Sequence, residues 1–344
     1  MKIFKILGIL ILLGIVVGGF FAYRYYDMYF EKNVPSELKT DLVQIPTGST
    51  FEDLVEILKK EEIILDETSF RTAASYMNYT DDIKPGQYKI EPNITSKRLV
   101  TILKTFGQTP VQFVIHNKRT LEQVAGHCGK LLEADSLAFL DAIMDEAFWA
   151  EHGYNLETAM SAFIPNTYQI YWTTTPKDFF LRMISEHDKF WDKDNRRAKA
   201  EQMNYTPEQV YTLASIVETE SQHKPERPRI AGVYINRLER GIPLQADPCI
   251  VFALRDFSLK RILDKHLQIE SPYNTYKYAG LPPGPIYMSS ISSIDAVLNY
   301  EEHSYLYFCA KPDFSRTHNF AKTLSAHNVN ARNYHRWLNQ QGIK

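Results

Sequence analysis

Residues 206–221 read TPEQVYTLASIVETES, a stretch that carries both the start of a helix and a pair of carboxylates near its end. Thr206, Pro207 and Gln209 stand as N-cap, first helical residue and N3 partner of a capping box, which marks a helix start. Val210, Leu213, Ala214 and Val217 recur at i, i+3, i+4 and i+7, so one apolar stripe faces a core. Glu218 and Glu220 flank that stripe. Burial penalises the charged form of a carboxyl, so an acid among apolar neighbours holds its proton toward neutral pH, as protonation of a glycosidic leaving group requires. A carbohydrate-cleaving enzyme is therefore the first functional expectation. The glutamates are two residues apart and point to different sides of the helix. They cannot by themselves be the facing acid and base of a two-carboxylate glycosidase. Periodicity does not choose between them, and taken alone a Glu-x-Glu pair also fits an ordinary helix surface.

The loops downstream add polar groups and rings. Residues 233–248 read VYINRLERGIPLQADP, where Gln245 and Asp247 stand just before a proline and could present hydrogen-bonding groups to sugar hydroxyls or cap the following helix. Residues 271–276, SPYNTY, bring Tyr273 and Asn274 together, and residues 280–286, GLPPGPI, form a rigid loop poor in donors. Aromatic faces with amides and hydroxyls are the usual furniture of a sugar cleft. Each loop alone also has a plain structural reading.

The opposite end of the chain bears on location. From residue 3 to 22 the sequence is apolar or glycine except for Lys5, a length that spans roughly 30 Å as a helix. Lys2 and Lys5 precede the bulk of this run, so the positive-inside rule keeps the N-terminus in the cytoplasm and exports the remainder of the chain. Gly18 and Gly19 are followed by Phe20, Phe21 and Tyr23, which does not suit a cleavage site and favours an uncleaved anchor. The chain has 344 residues with 13% aromatic and 23% charged content and a formal net charge of −2. That suffices for two domains or so, and basic residues gather on no one face, which disfavours nucleic acid. Cys128, Cys249 and Cys309 are odd in number and far apart, so buried single thiols are expected, with at most one long-range disulfide. The histidines show no HExxH spacing, and neither a metal nor another cofactor is implied.

Between the two ends, residues 27–40 are polar and contain Pro35, which reads as a linker. Residues 41–108 repeat one pattern. A strand near Val43 leads to a helix capped by Ser49 or Thr50 with Phe51, Leu54, Val55 and Leu58 at helical spacing. A second strand from Gly86 leads to a helix capped by Thr95 or Ser96 with Leu99, Val100 and Leu103. After a strand at 111–115, helices are expected over about 120–132, 135–150 and 176–190, and the charged stretch 192–201 reads as a solvated helix face.

LASIVETE, VYINRLERGIPLQADP, SPYNTY, GLPPGPI and YLYFCA, followed by THNF and AHN, stand in the order and approximate spacing of the endolytic murein transglycosylase family, also called YceG-like, which this chain resembles over nearly its whole length. The resemblance implies an α+β architecture. Residues 1–26 would be cytoplasmic N-terminus and transmembrane anchor, 27–40 linker, 41–108 a LysM-like α+β module, and 109–344 a mixed α/β catalytic domain. It also implies a lytic transglycosylase that cuts nascent peptidoglycan strands between N-acetylmuramic acid and N-acetylglucosamine, leaves 1,6-anhydro ends and terminates glycan elongation. The resemblance places the catalytic acid on the first glutamate of VExE, Glu218; Glu220 is then at best an orienting or charge-tuning neighbour on the substrate side, and Gln245, Asp247, Tyr273 and Asn274 are expected to hold sugars or polarise the site. Glycan strands are the implied partner, with proteins of the cell-wall synthesis machinery beside them. One carboxylate can serve both proton transfers because the nucleophile, the muramyl C6 hydroxyl, belongs to the substrate. The chain departs from the family pattern at MSAFIPNTY, where Asn166 replaces an aspartate, at Tyr287-Met288-Ser289-Ser290, which replaces an NPG-type turn, and at Ala326-His327-Asn328. A non-catalytic peptidoglycan-binding or scaffold protein would share the anchor and the rings but yield no anhydro ends. A hydrolase would need a second carboxylate, such as Asp247, to activate water.

Overall fold

The computed structural model describes residues 2–105, 107–259 and 261–342. Among these residues it has mixed helix and strand content with three two-stranded sheets. The chain divides into two compact units. The first comprises Met1–Phe113, Leu131–Ala134 and Tyr168–Thr175, and the second comprises Val114–Lys130, Asp135–Thr167 and Pro176–Lys344.

The first unit begins with a continuous helix, Lys2–Phe30, whose apolar side chains from Phe4 to Phe21 are exposed. Its length and composition suffice to cross a membrane. The side chain of Lys2, one of the two charges near the start of the apolar run, lies outside the described residues. The helix does not end where the polar stretch begins. It runs on to Phe30, and Met28 and Val34 are both buried in the core of the adjoining module. The segment read as a linker is thus partly helix and partly core. In the module, strands Leu42–Ile45 and Gly86–Lys89 pair antiparallel, and Val43, Ile45 and Tyr88 turn inward against helices Phe51–Lys60, Glu67–Tyr76 and Ser96–Thr105. Thr50 and Asp53 form a capping box on the first of these helices, and the Arg98 N–H donates to the Thr95 hydroxyl on the last. Each fully buried Val, Ile or Leu here contributes about 1.5–3 kcal/mol relative to exposure.

The second unit is built around the helix expected from residues 206–221, Pro207–Glu220, with its Thr206–Gln209 capping box intact. Helices Arg227–Glu239, Asp247–Leu254 and Ile291–Leu298 pack against it. One apolar stripe was the expectation, but every residue from Val210 to Val217 is buried. The polar ones among them act as tethers. The Tyr211 hydroxyl donates to the Phe163 carbonyl at 2.7 Å and accepts the Ser289 N–H, while the Ser215 hydroxyl accepts the Ile286 N–H at 3.0 Å. These bonds hold the 286–290 loop to the helix flank and satisfy polar groups that burial would otherwise penalise. The helix expected over 135–150 is two, Ser136–Ile143 and Glu146–Glu151, because Asp145 caps the second. The charged stretch is also less solvated than read, since Arg196 is buried and pairs with Asp295 at 2.8 Å. A hairpin, Tyr307–Ala310 with His318–Ala321, leads to the last helix, Leu324–Gln340. The three cysteines are free thiols.

Candidate active site

Both glutamates sit in the last turn of Pro207–Glu220, and the chain gives them opposite surroundings. Glu218 meets Arg227, the first residue of its helix, in a two-pronged contact, Nη1 to Oε2 at 3.1 Å and Nη2 to Oε1 at 3.2 Å. Arg227 is buried and also donates to the Ser221 carbonyl at 3.1 Å and the Ser293 hydroxyl at 2.8 Å. The Ser290 N–H approaches Oε2 at 3.3 Å, and the hydroxyls of Ser290 and Ser293 hydrogen-bond to the same oxygen. Arg227 and the Ser290 N–H can only donate. Both oxygens of Glu218 are therefore occupied in fastening the end of the helix to the 290–293 turn.

Glu220 faces a different neighbourhood, a cavity of ≈390 Å³ lined among others by Tyr234, Arg237, Gln245, Asp247, Tyr276 and His327. The Tyr234 hydroxyl donates to its Oε1 at 2.9 Å. Burial pushes the Glu220 carboxyl up to about 7. The Tyr234 hydrogen bond pulls it down, and the nearby Asp247 carboxylate adds to the rise. Burial likewise raises the Tyr234 hydroxyl well above its ordinary range, so it remains a donor. A protonated carboxyl at the wall of a cavity near neutral pH can give up its proton and later take one back.

The cavity wall is stitched by Arg237, whose Nε donates to the Leu306 carbonyl at 2.7 Å and whose Nη1 donates to the Leu244 carbonyl at 2.8 Å and to Gln245 Oε1 at 3.2 Å. Gln245 stands at φ 54, a left-handed conformation that costs a non-glycine residue of order 1 kcal/mol and persists only where surroundings enforce it. Its N–H donates to the Thr275 carbonyl at 2.9 Å. Asp247 opens the helix Asp247–Leu254 and accepts the Tyr276 hydroxyl. It also lines a second cavity of ≈930 Å³ with Thr219, Phe252 and Tyr334.

Of the residues singled out from sequence, Glu220, Gln245 and Asp247 come together around one cavity. Tyr273 does not line it; its ring lies 4.8 Å from that of Phe252, packed on the core. Asn274 is fully buried. Its amide donates to the Leu267 and Ile269 carbonyls, both at 2.9 Å, and its oxygen accepts the Tyr276 N–H at 3.0 Å, so it shapes the loop that delivers Tyr276. Asn166 is exposed and accepts the Thr167 N–H. Tyr234, Arg237, Tyr276 and His327 were missed. Tyr234 and Arg237 are three apart on one helix, a spacing that puts them on one face, and this signal was available.

The YceG-like family model matches residues 43–333. A relative named endolytic murein transglycosylase, from Streptococcus pneumoniae serotype 2 strain D39, is 30% identical over 342 residues, covering 90% of this chain and 61% of the relative. The chain thus spans about three fifths of the length of that pneumococcal protein. A relative of the same name from Bacillus subtilis strain 168 is 28% identical, covering 91% of this chain and 89% of its own. The crystal structure of a YceG-like protein from Listeria monocytogenes superposes with a TM-score of 0.57 at 28% identity, covering 84% of this chain and 97% of that one. A match running from the first strand of the module into the last helix leaves one conclusion: the chain belongs to the YceG-like family.

Proposed function

We propose that this protein is a membrane-anchored lytic transglycosylase that cuts within peptidoglycan glycan strands and that Glu220, not Glu218, is its acid. The observation that carries the reading is the Glu220 carboxyl, pushed up to about 7 at the wall of a cavity it shares with Asp247. Glu220 protonates the oxygen between N-acetylmuramic acid and N-acetylglucosamine as the muramyl C1–O bond breaks and its electrons pass to that oxygen. Ionised Glu220 then takes the proton of the muramyl C6 hydroxyl, whose oxygen bonds to C1. The product is a 1,6-anhydro end, and no water is consumed. Asp247 opposes ionisation of Glu220 before the reaction and offsets positive charge on the sugar during it. Arg237, Gln245 and Tyr276 orient the sugars, and Glu218 holds the helix end in place.

The helix Lys2–Phe30 anchors the chain, with Lys2 and Lys5 on the cytoplasmic side and the 41–108 module and the second unit outside, near strands still held at the bilayer. Such confinement raises the effective concentration of nascent glycan. The LysM-like module adds glycan affinity or docks cell-wall synthesis proteins. The deciding experiment digests uncrosslinked glycan strands with the full chain in detergent, beside Glu220→Gln and Glu218→Gln, and weighs the new termini. Anhydro ends from the parent and from Glu218→Gln but not from Glu220→Gln support the proposal. Ends heavier by one water would point instead to hydrolysis with Asp247 as base, and anhydro ends from Glu220→Gln at the parent rate would sink it.

A further inference from the structure

The second cavity, ≈930 Å³, adjoins the first at Asp247, which lines both. Arg119, Arg261 and His335 line it too, and Asp247 is the one carboxylate among its lining residues. Several arginines elsewhere in this unit are committed: Arg196, Arg197, Arg227, Arg229 and Arg255 each pair with an acid. Arg119 and Arg261 pair with none among the described residues. Arg119 is held another way. Its guanidinium carbon lies 5.0 Å from the centroid of the Phe257 ring and 5.8 Å from that of Tyr287, and Phe257 also lines the cavity. Ring faces fix a guanidinium plane without consuming its N–H donors, which leaves a positioned fork for a carboxylate. A neutral sugar has no need of two cations, whereas the peptide carried on the lactyl group of a muramyl residue bears free carboxylates.

On the glycan-cleaving reading above, on which this rests, we propose that the second cavity receives the stem peptide of a muramyl residue. Arg119 and Arg261 pair with its carboxylates, and the enzyme thereby selects peptide-bearing stretches of strand. The sugar backbone passes Asp247, with the reacting bond at Glu220 on one side and the peptide on the other.

The test uses the full chain in detergent on two substrates, uncrosslinked strands with stem peptides and the same strands stripped of them by an amidase. Cleavage is followed for the parent, Arg119→Gln/Arg261→Gln and Arg119→Lys, and strand binding is measured separately with each form carrying Glu220→Gln. The parent should prefer peptide-bearing strands about tenfold in both assays, the scale of one charge-assisted hydrogen bond. The double variant should lose that preference while treating stripped strands as the parent does, and Arg119→Lys should keep part of it. Equal handling of the two substrates by the parent overturns the proposal, as does an equal loss on both by the double variant. Should no form cleave either substrate, the catalytic reading fails, yet the binding preference still decides whether the peptide is recognised.

Discussion

Glu218 and Glu220 differ by two positions and by everything around them. If Glu220 is the acid, kcat/KM should fall as pH rises through about 7, because only the protonated form can start the reaction. Glu220→Gln should remove about 10²–10⁴ of the rate, read as anhydro termini per unit time. Glu218→Gln should keep turnover and the same descending limb but leave buried Arg227 short of an acceptor, at a cost of about 3 kcal/mol in denaturant unfolding. Folding stability carries a matching signature. Glu220 has an ordinary value of 4.5 and a folded value of about 7, so the folded state binds the extra proton between them. Its contribution is full below 4.5 and is lost as pH rises through 7, by about 1.4 kcal/mol per pH unit. Glu220→Gln should therefore gain in melting temperature relative to the parent on going from pH 5 to pH 8, and an unchanged difference would contradict the buried acid. At this scale the sequence allowed a choice between two glutamates and no more. What separates them is Arg227 and Ser290 on one side and Tyr234 and Asp247 on the other, partners on other elements whose approach to the helix end is set by tertiary packing, not by local spacing.

The capped start at Thr206 and the strand and helix passes of the module were legible because caps and turns are local chemistry. The all-round burial of Pro207–Glu220 was not. Tyr211 and Ser215 lie off the apolar stripe, and their burial comes from the 286–290 loop, whose N–H groups donate to their hydroxyls. Helix Glu67–Tyr76 went unread although Asp66 caps it and Phe70, Ala73 and Ala74 follow at helical spacing, since its other residues are polar. Gly232 shows how packing overrides propensity. In mid-helix, alanine should stabilise by about 1 kcal/mol over glycine. A Cβ at 232 would lie 2.4 Å from the Glu301 carbonyl oxygen and 2.8 Å from His303 Nε2, so Gly232→Ala should instead lower the melting temperature. A gain would show that the 301–303 segment yields easily.

Across the whole molecule, the long apolar helix and the motifs of the family were each visible in the sequence, while the joint between helix and module was not. Residues 27–40 are polar on average, which hides the one methionine that matters. A fragment beginning at Asp27 retains Met28 in the core, whereas one beginning at Val34 does not. The shorter fragment should unfold more easily by about 2–5 kcal/mol, the cost of emptying a buried methionine site, as measured by urea titration of the first unit's signal. Equal midpoints would mean that the helix end contributes nothing to the fold.

That seamless joint has a mechanical corollary. The helix Lys2–Phe30 runs past the apolar residues 3–22, which take up roughly 30 Å, about one hydrocarbon layer, so in the proposed spanning arrangement its last turns stand clear of the lipid and carry any lean of the helix straight to Met28. With no swivel between helix and module, the lean is inherited by the module itself. Lipid thickness then becomes a lever on the angle at which the module meets the bilayer surface.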